Sequence, residues 1–159
     1  MSDTIVQLGW FLPLALLCLG LLVGSFLNVV IYRLPLMMES RWRQDCCELL
    51  ELPQEKTESP LNLATPNSHC PHCKNAIKPW HNIPVLSYCV LRGKCGNCAA
   101  RISPRYPLLE IVTGLMTLAL VWHFDVSLAL LGALLFTWSL IALTMIDIDH
   151  QLLPDDITL

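Results

Sequence analysis

The stretch VSLALLGALLFTWSLIALTMID, from Val126 to Asp147, contains no charged residue until its last position. About 20 consecutive apolar residues are enough for a helix to cross the hydrocarbon core of a bilayer. The stretch therefore predicts a transmembrane helix over residues 126–146 that is followed by a carboxylate. Two hypotheses explain Asp147: it caps the helix at the membrane boundary, or it is a catalytic group held at the membrane.

The rest of the chain supports a membrane protein. Of its 159 residues, 54% are hydrophobic and 14% are charged, whereas charged residues make up about a quarter of a soluble domain. Residues 4–32 also lack charge, which predicts a first span over about residues 8–31. Because this run is much longer than the apolar core of a signal peptide and follows Asp3 rather than a basic segment, we expect it to be retained.

A further apolar segment lies between these two spans. Extended back to Pro107, it predicts a span over residues 107–124 that includes Glu110. The expected fold is therefore an all-α polytopic membrane protein with about three transmembrane helices. For Glu110, the simplest expectation is an ion pair with Arg101 or Arg105 at the membrane interface.

The positions of the basic residues predict the orientation. All ten Lys and Arg residues lie between Arg33 and Arg105, and loops rich in Lys and Arg stay in the cytoplasm. The loop over residues 33–105 is therefore expected to be cytoplasmic and the amino terminus to be outside. The third span then runs inward, which puts Asp147 at its cytoplasmic end.

Two C-x2-C pairs lie in this loop, "CPHC" at residues 70–73 and "CGNC" at residues 95–98. Four thiolates from two such turns are the tetrahedral ligand set of structural zinc, so a zinc module is expected over about residues 68–100. Disulfides are disfavoured in a reducing cytoplasm, and a redox dithiol would need a βαβ unit that the sequence does not indicate. The predicted zinc ligands are Cys70, Cys73, Cys95 and Cys98.

The other candidate ligands are not expected to bind the metal. His69 and His72 flank the first pair, but four thiolates already complete the coordination shell. The remaining cysteines have no paired spacing and are expected to act as small apolar side chains; they are Cys18, Cys46, Cys47 and Cys89.

The zinc segment is basic, with no acidic residue between Ser59 and Leu109. Its cations would offset the two net negative charges of a zinc ion with four thiolates and would suit anionic lipid headgroups. Nucleic acid is not expected as a partner, because both ends of the loop are tied to the membrane. The basic residues are Lys74, Lys78, Arg92, Lys94, Arg101 and Arg105.

The first part of the loop has apolar residues at helical spacing from Met38 to Leu50. This spacing predicts a short amphipathic helix on the membrane surface. Residues 53–60, with the sequence PQEKTESP, are typical of a flexible linker.

Polar and small residues within the spans predict how the helices pack. Gly20, Gly24 and Asn28 lie four residues apart on one face of the first span, which is typical of a seam between closely packed membrane helices. Thr137 and Thr144 share a broad face of the third span with Asp147, which indicates a bundle interior or a water-filled cleft.

Four motifs occur in a fixed order: GSFLNVVIYRLP at residues 24–35, the two C-x2-C pairs, RYPLLE at residues 105–110 and IDIDHQLLPD at residues 146–155. Taken together, they resemble those of the bacterial type IV prepilin peptidases, also called prepilin leader peptidase/N-methyltransferases. The resemblance implies an inner-membrane aspartic protease with its amino terminus in the periplasm, which cleaves the basic leader of prepilins and pseudopilins at the cytoplasmic face. It also implies methylation of the new amino terminus by S-adenosylmethionine.

The resemblance also implies roles for individual residues and a division of the chain. Asp147 matches the first catalytic aspartate, and the four paired cysteines match the zinc ligands. Residues 1–32 would be the first transmembrane helix, residues 33–105 the cytoplasmic loop, and residues 106–159 the start of the membrane peptidase domain.

The family's second aspartate lies in a G-x-G-D motif, which this sequence does not contain. The expectation is therefore an amino-terminal portion that is inactive as a protease by itself. Asp149, Asp155 and Asp156 are not expected to replace the second aspartate. Asp149 should point away from Asp147 if the helix continues, and Pro154 indicates that Asp155 begins the next element. The alternative function is a non-catalytic, membrane-anchored zinc module that docks a partner protein.

Overall fold

The computed structural model describes residues 9, 11–52, 62–65, 69–70, 72–77, 83–152 and 154–158. In this part of the chain the fold is helical, and its β-structure is limited to two isolated bridges. The helices are α1 Phe11–Leu49, α2 Leu86–Val90, α3 Arg105–His123, α4 Leu128–His150 and α5 Asp155–Thr158. Three of them, α1, α3 and α4, are long and apolar enough to cross a membrane, which confirms the predicted all-α fold with three spans.

Helix α4 has well-defined ends. The side chain of Ser127 caps its start by accepting a hydrogen bond of 3.4 Å from the backbone N–H of Leu130. At its other end Gln151 adopts a left-handed conformation with φ 52° and donates its backbone N–H to the carbonyl of Asp147 at 2.8 Å. A left-handed residue followed by a proline, here Pro154, stops a helix, so the chain turns away directly after the helical turn that carries Asp147.

Helix α1 is longer than the sequence predicts. Its 39 residues correspond to about 58 Å at 1.5 Å per residue, whereas the hydrocarbon core is about 30 Å thick. The prediction of a separate surface helix from Met38 is therefore wrong: these residues continue helix α1. Pro35 removes only one intrahelical hydrogen bond, and the residues that follow it are mostly good helix formers. The predicted linker at residues 53–60 lies outside the described residues.

The tightest packing in the molecule is between α1 and α3. A Cβ atom on Gly24 would lie 2.8 Å from Cα of Glu110, and one on Gly20 would lie 2.6 Å from Oγ1 of Thr117. Asn28 donates its side-chain amide to the carbonyl of Tyr106 at 3.2 Å. Because the contacts on α3 move from its start to its end as those on α1 move backward, the two helices are antiparallel. The predicted seam is confirmed.

Two threonines on the seam have buried hydroxyl groups, and each hydroxyl forms a hydrogen bond. Thr113 and Thr117 are 0% exposed, and each donates its hydroxyl to the carbonyl four residues earlier at 2.8 Å. Trp138 on α4 donates its indole N–H to the Thr117 oxygen at 3.0 Å. Such bonds satisfy polar groups within the bundle, and the last one connects α4 to α3.

An apolar cluster of α1, α3 and α4 residues surrounds the helix end that carries Asp147. Ile146 is 0% exposed in this cluster, whereas the adjacent Asp147 is exposed. The cluster therefore fixes the inner side of α4 and leaves Asp147 on its outer side. The members are Leu27, Val30, Ile31, Leu34, Leu109, Ala142 and Ile146.

We expect Gly24→Ala to destabilise the bundle, because the new methyl group would meet the α3 backbone at 2.8 Å. Overpacking of this kind costs about 1–3 kcal/mol. Gly132→Ala is the matched control, because nothing lies within 4 Å of a Cβ at that position. Thermal unfolding of the two variants in detergent should show a lower midpoint for Gly24→Ala only; equal midpoints would contradict the close approach.

Candidate functional site

The first C-x2-C pair lies in a tight backbone turn. The carbonyl of Cys70 accepts the N–H of Lys74 at 2.8 Å, and the N–H of Cys70 donates to the carbonyl of Asn75 at 3.0 Å. A β-bridge between His69 and Ala76 closes the turn. We call residues 69–76 the first knuckle. Lys74 adopts φ 54°, a left-handed conformation that non-glycine residues rarely take.

The second pair repeats this turn twenty-five positions later. The carbonyl of Cys95 accepts the N–H of Ala99 at 3.0 Å, and its N–H donates to the carbonyl of Ala100 at 2.8 Å. A bridge between Lys94 and Arg101 closes it, and Ala99 is left-handed with φ 56°. Residues 94–101 are the second knuckle. Each hydrogen bond, the bridge and the left-handed residue of the first knuckle therefore have an equivalent in the second.

The knuckles bring the four predicted sulfur ligands together. All four Sγ atoms lie within 4.8 Å of one another, and those of Cys70 and Cys98 are 3.8 Å apart. Zinc–sulfur bonds of about 2.3 Å in a tetrahedron place the sulfurs about 3.8 Å apart, whereas a disulfide needs about 2.05 Å. The cluster can therefore hold a metal ion. In the part of the chain that the structure describes, this cluster contains no histidine.

The thiols have unequal acidities. The backbone N–H groups of Cys98 and Asn97 lower the pKa of Cys95 to about 6. The backbone N–H of Ala100 lowers the pKa of Cys98, but desolvation and the neighbouring thiols outweigh it and raise that pKa to about 11. Thiolates this close repel one another. A divalent cation would offset this repulsion and allow all four sulfurs to ligate as thiolates.

A basic cavity of about 620 Å³ borders the second knuckle. Its lining includes three cationic side chains and no acidic residue, and its last lining residue, Pro104, immediately precedes α3. The cavity therefore lies where the chain enters the second of the apolar helices. It is lined by Tyr88, Arg92, Gly93, Lys94, Arg101, Ile102, Ser103 and Pro104.

Asp147 lies in the last turn of α4, and its side chain is exposed. Thr144, one turn earlier, is exposed on the same face, whereas Thr137 is half-buried. Only the end of this polar face therefore lies on the outer surface of the described bundle. Within the described residues, no side chain or backbone group forms a hydrogen bond with the Asp147 carboxylate. A carboxylate at a helix C-terminus gains nothing from the helix dipole. The choice between a cap at the membrane boundary and a catalytic group stays a prediction.

Two other carboxylates have partners that the sequence did not reveal. Arg105 forms two hydrogen bonds with Asp149, of 2.8 and 2.5 Å. Glu110 is 8% exposed, and its Oε2 accepts the backbone N–H of Val85 at 2.7 Å. The expected ion pair of Glu110 with Arg101 or Arg105 is therefore wrong, because Arg105 is engaged by Asp149 and the buried Glu110 carboxylate binds the loop backbone instead.

Asp149 binds Arg105, and the expectation that it does not replace the second aspartate stays a prediction. The side chains of Asp155 and Asp156 are outside the described residues, so the expectation for them stays a prediction. No local sequence pattern could have revealed the partner of Arg105, which is 44 positions away.

The chain matches known proteins over most of its length. The family model of the Bacterial Peptidase A24 N-terminal domain matches residues 18–124. A prepilin leader peptidase/N-methyltransferase of Stutzerimonas stutzeri is 53% identical over 146 residues, which cover 92% of this chain and 50% of the relative. The Legionella pneumophila protein of the same name is 48% identical over 155 residues, which cover 98% and 54%.

A third relative of that name, from Neisseria gonorrhoeae, is 51% identical over 160 residues, which cover 100% of this chain and 56% of the relative. The chain thus spans about half the length of the curated relatives it matches. No solved structure matches it. Because the family model covers well over half of the residues, the chain belongs to the bacterial A24 peptidases, of which it carries the N-terminal domain.

Proposed function

We propose that this chain supplies the first catalytic aspartate, Asp147, of a membrane aspartic endopeptidase that removes the basic leader of type IV prepilins and pseudopilins. The observation that carries the proposal is an exposed carboxylate without a described partner at the end of an apolar helix. Relatives that are about half identical to this chain are named prepilin leader peptidase/N-methyltransferases, which supports the same activity here.

The proposed chemistry needs two carboxylates. Close aspartates share one proton, because both cannot ionise side by side. The ionised carboxylate takes a proton from the attacking water, and the protonated one polarises the scissile carbonyl. Asp147 provides one of these groups. The second would come from a G-x-G-D segment, which is absent from this sequence.

We propose that the four-cysteine cluster binds zinc in a structural role. Four protein sulfurs complete a tetrahedral shell and leave no open position for a substrate. The zinc would fix the two knuckles at the start of α3. Methylation of the new amino terminus, the second half of the relatives' name, would take its methyl group from S-adenosylmethionine.

We also propose a location and an orientation. Three helices able to cross a membrane support a multi-pass protein of the bacterial inner membrane. The basic loop would lie in the cytoplasm with the amino terminus in the periplasm, and the cations of the cavity would contact anionic headgroups. The leader of a prepilin, being basic, would then reach Asp147 from the cytoplasmic side.

We expect purified protein to contain about one zinc ion per chain, since four thiolates fill one tetrahedral site. Replacing Cys73 and Cys98 together by serine should release it, because each knuckle loses one ligand. Cys89→Ser is the matched control, because this exposed thiol lies outside the cluster. Elemental analysis measures the metal. Zinc retained in full by the double variant would refute the site.

We expect Asp147→Asn to abolish prepilin cleavage, because an amide cannot exchange the catalytic proton. Cleavage is measured in a full-length context that also supplies the G-x-G-D aspartate, in membranes without another prepilin peptidase. Zinc content and membrane insertion should persist. Asp125→Asn, at the opposite end of the third span, is the control and should leave cleavage unchanged. If Asn is tolerated at position 147, the chain acts through docking rather than through this carboxylate.

We expect a thiol or protease tag inserted near residue 57 to be inaccessible to impermeant reagents in intact cells. The reason is that all ten Lys and Arg residues lie between residues 33 and 105. The same tag placed before residue 4 should be labelled from outside. Reaction of the tag near residue 57 in intact cells would reverse the proposed orientation.

A further inference from the structure

An ion pair joins the start of α3 to the end of α4. Both guanidinium Nη atoms of Arg105 bind the two carboxylate oxygens of Asp149, at 2.8 and 2.5 Å. Such a two-bonded pair fixes orientation as well as distance. It links two different helices, whereas the pair of Arg43 with Glu39 lies within α1.

Stability does not explain this pair well. Its side chains are 43% and 28% exposed, and exposed pairs contribute little. Moreover, Arg105 is the first residue of α3 and Asp149 lies in the last turn of α4. A cation at a helix N-terminus and an anion at a C-terminus are each disfavoured by the dipole of their own helix. An anion at the start of α3 and a cation at the end of α4 would suit both helix dipoles better.

The pair acts on the helical turn that carries Asp147. Asp149 is two positions further on, which at 100° per residue is about 200° around the helix. A bond that holds Asp149 therefore directs Asp147 to the opposite side. Gln151 ends the helix immediately afterwards, and helix ends open more easily than helix centres. The last turn thus needs an external contact to keep one orientation.

The same pair connects Asp147 with the cysteine cluster. Arg105 follows the closing bridge of the second knuckle by four residues. In between, the N–H of Ile102 donates to the carbonyl of Gly93 at 2.8 Å, and the hydroxyl of Ser103 accepts the N–H of Arg105 at 3.3 Å. The short segment is therefore held at both ends. A displacement of the knuckle would move Arg105 with it.

We propose that Arg105 is a positioning residue for Asp147, which acts through Asp149 by holding the last turn of α4 against the second knuckle. The proposal rests on the proposed function, since it assigns the reacting carboxylate to Asp147. Arg105 and Asp149 do not touch the substrate. Their role is to keep Asp147 in the orientation in which it meets the water and the scissile bond.

The test measures kcat and KM for prepilin cleavage in a full-length context that also supplies the G-x-G-D aspartate, in membranes without another prepilin peptidase. Arg105→Ala and Asp149→Ala should each lower kcat by about 10- to 100-fold, because misplacement by about 1 Å can cost 100-fold. KM should change little, and zinc content and thermal midpoint should stay as in the parent protein. The double variant Arg105→Asp, Asp149→Arg should recover most of the rate, since it restores the pair in reverse.

Arg43→Ala is the matched control. It breaks another arginine–carboxylate pair, with Glu39 at 3.3 Å, which lies on α1 away from Asp147, and kcat should be unchanged. Should an alanine variant fail to insert, Asp149→Asn, which keeps the side-chain shape, takes its place. Normal kcat in the Asp149 variants, or a folded reversed pair no faster than the single variants, overturns the positioning role.

A further comparison of variants separates the positioning role from the proposed function on which it rests. Cleavage by Asp147→Asn at the parent rate overturns the proposed function and the positioning role together. Loss of cleavage in Asp147→Asn combined with normal cleavage in the Asp149 variants overturns the positioning role alone.

Discussion

The close approach of α1 and α3 is the contact on which the rest of the structure depends. In a bilayer, lipid tails are as apolar as leucine, so helices associate through backbone proximity and hydrogen bonds rather than through the hydrophobic effect. Gly20 and Gly24 allow that proximity, and Asn28 adds a hydrogen bond to the first turn of α3. The start of α3 is thereby fixed against α1.

The features of the candidate site are all connected to this fixed start of α3. The second knuckle ends four residues before it, the basic cavity borders it, and Arg105 reaches from it to α4. Glu110, within the seam, also binds the backbone of Val85 just ahead of α2. The cysteine cluster and Asp147 are far apart in the sequence, yet both are connected to the first turn of α3.

Local patterns in the sequence were sufficient for the three apolar helices, the glycine seam and the four cysteines, because each depends on spacing along one segment. The length of α1 was underestimated, because apolar content marks where a membrane ends and not where a helix ends. Pro35 lies inside this helix, and the loss of a single hydrogen bond did not stop it. The partners of Asp149 and Glu110 could not be predicted, since they depend on how separate segments meet in space.

The extension of α1 beyond Pro35 has a mechanical consequence. Its last fourteen residues form a rod of about 21 Å at 1.5 Å per residue. Arg33, near its base, donates to the carbonyls of Asn62 and Leu63 at 2.9 and 3.3 Å, so the chain returns to where the rod began. The twelve residues between Leu49 and Asn62 can reach about 40 Å when extended, roughly twice the height of the rod. The rod can therefore grow or shrink by a turn or two, or accept an inserted sequence at its tip, without shifting Arg33 and the returning chain that it binds.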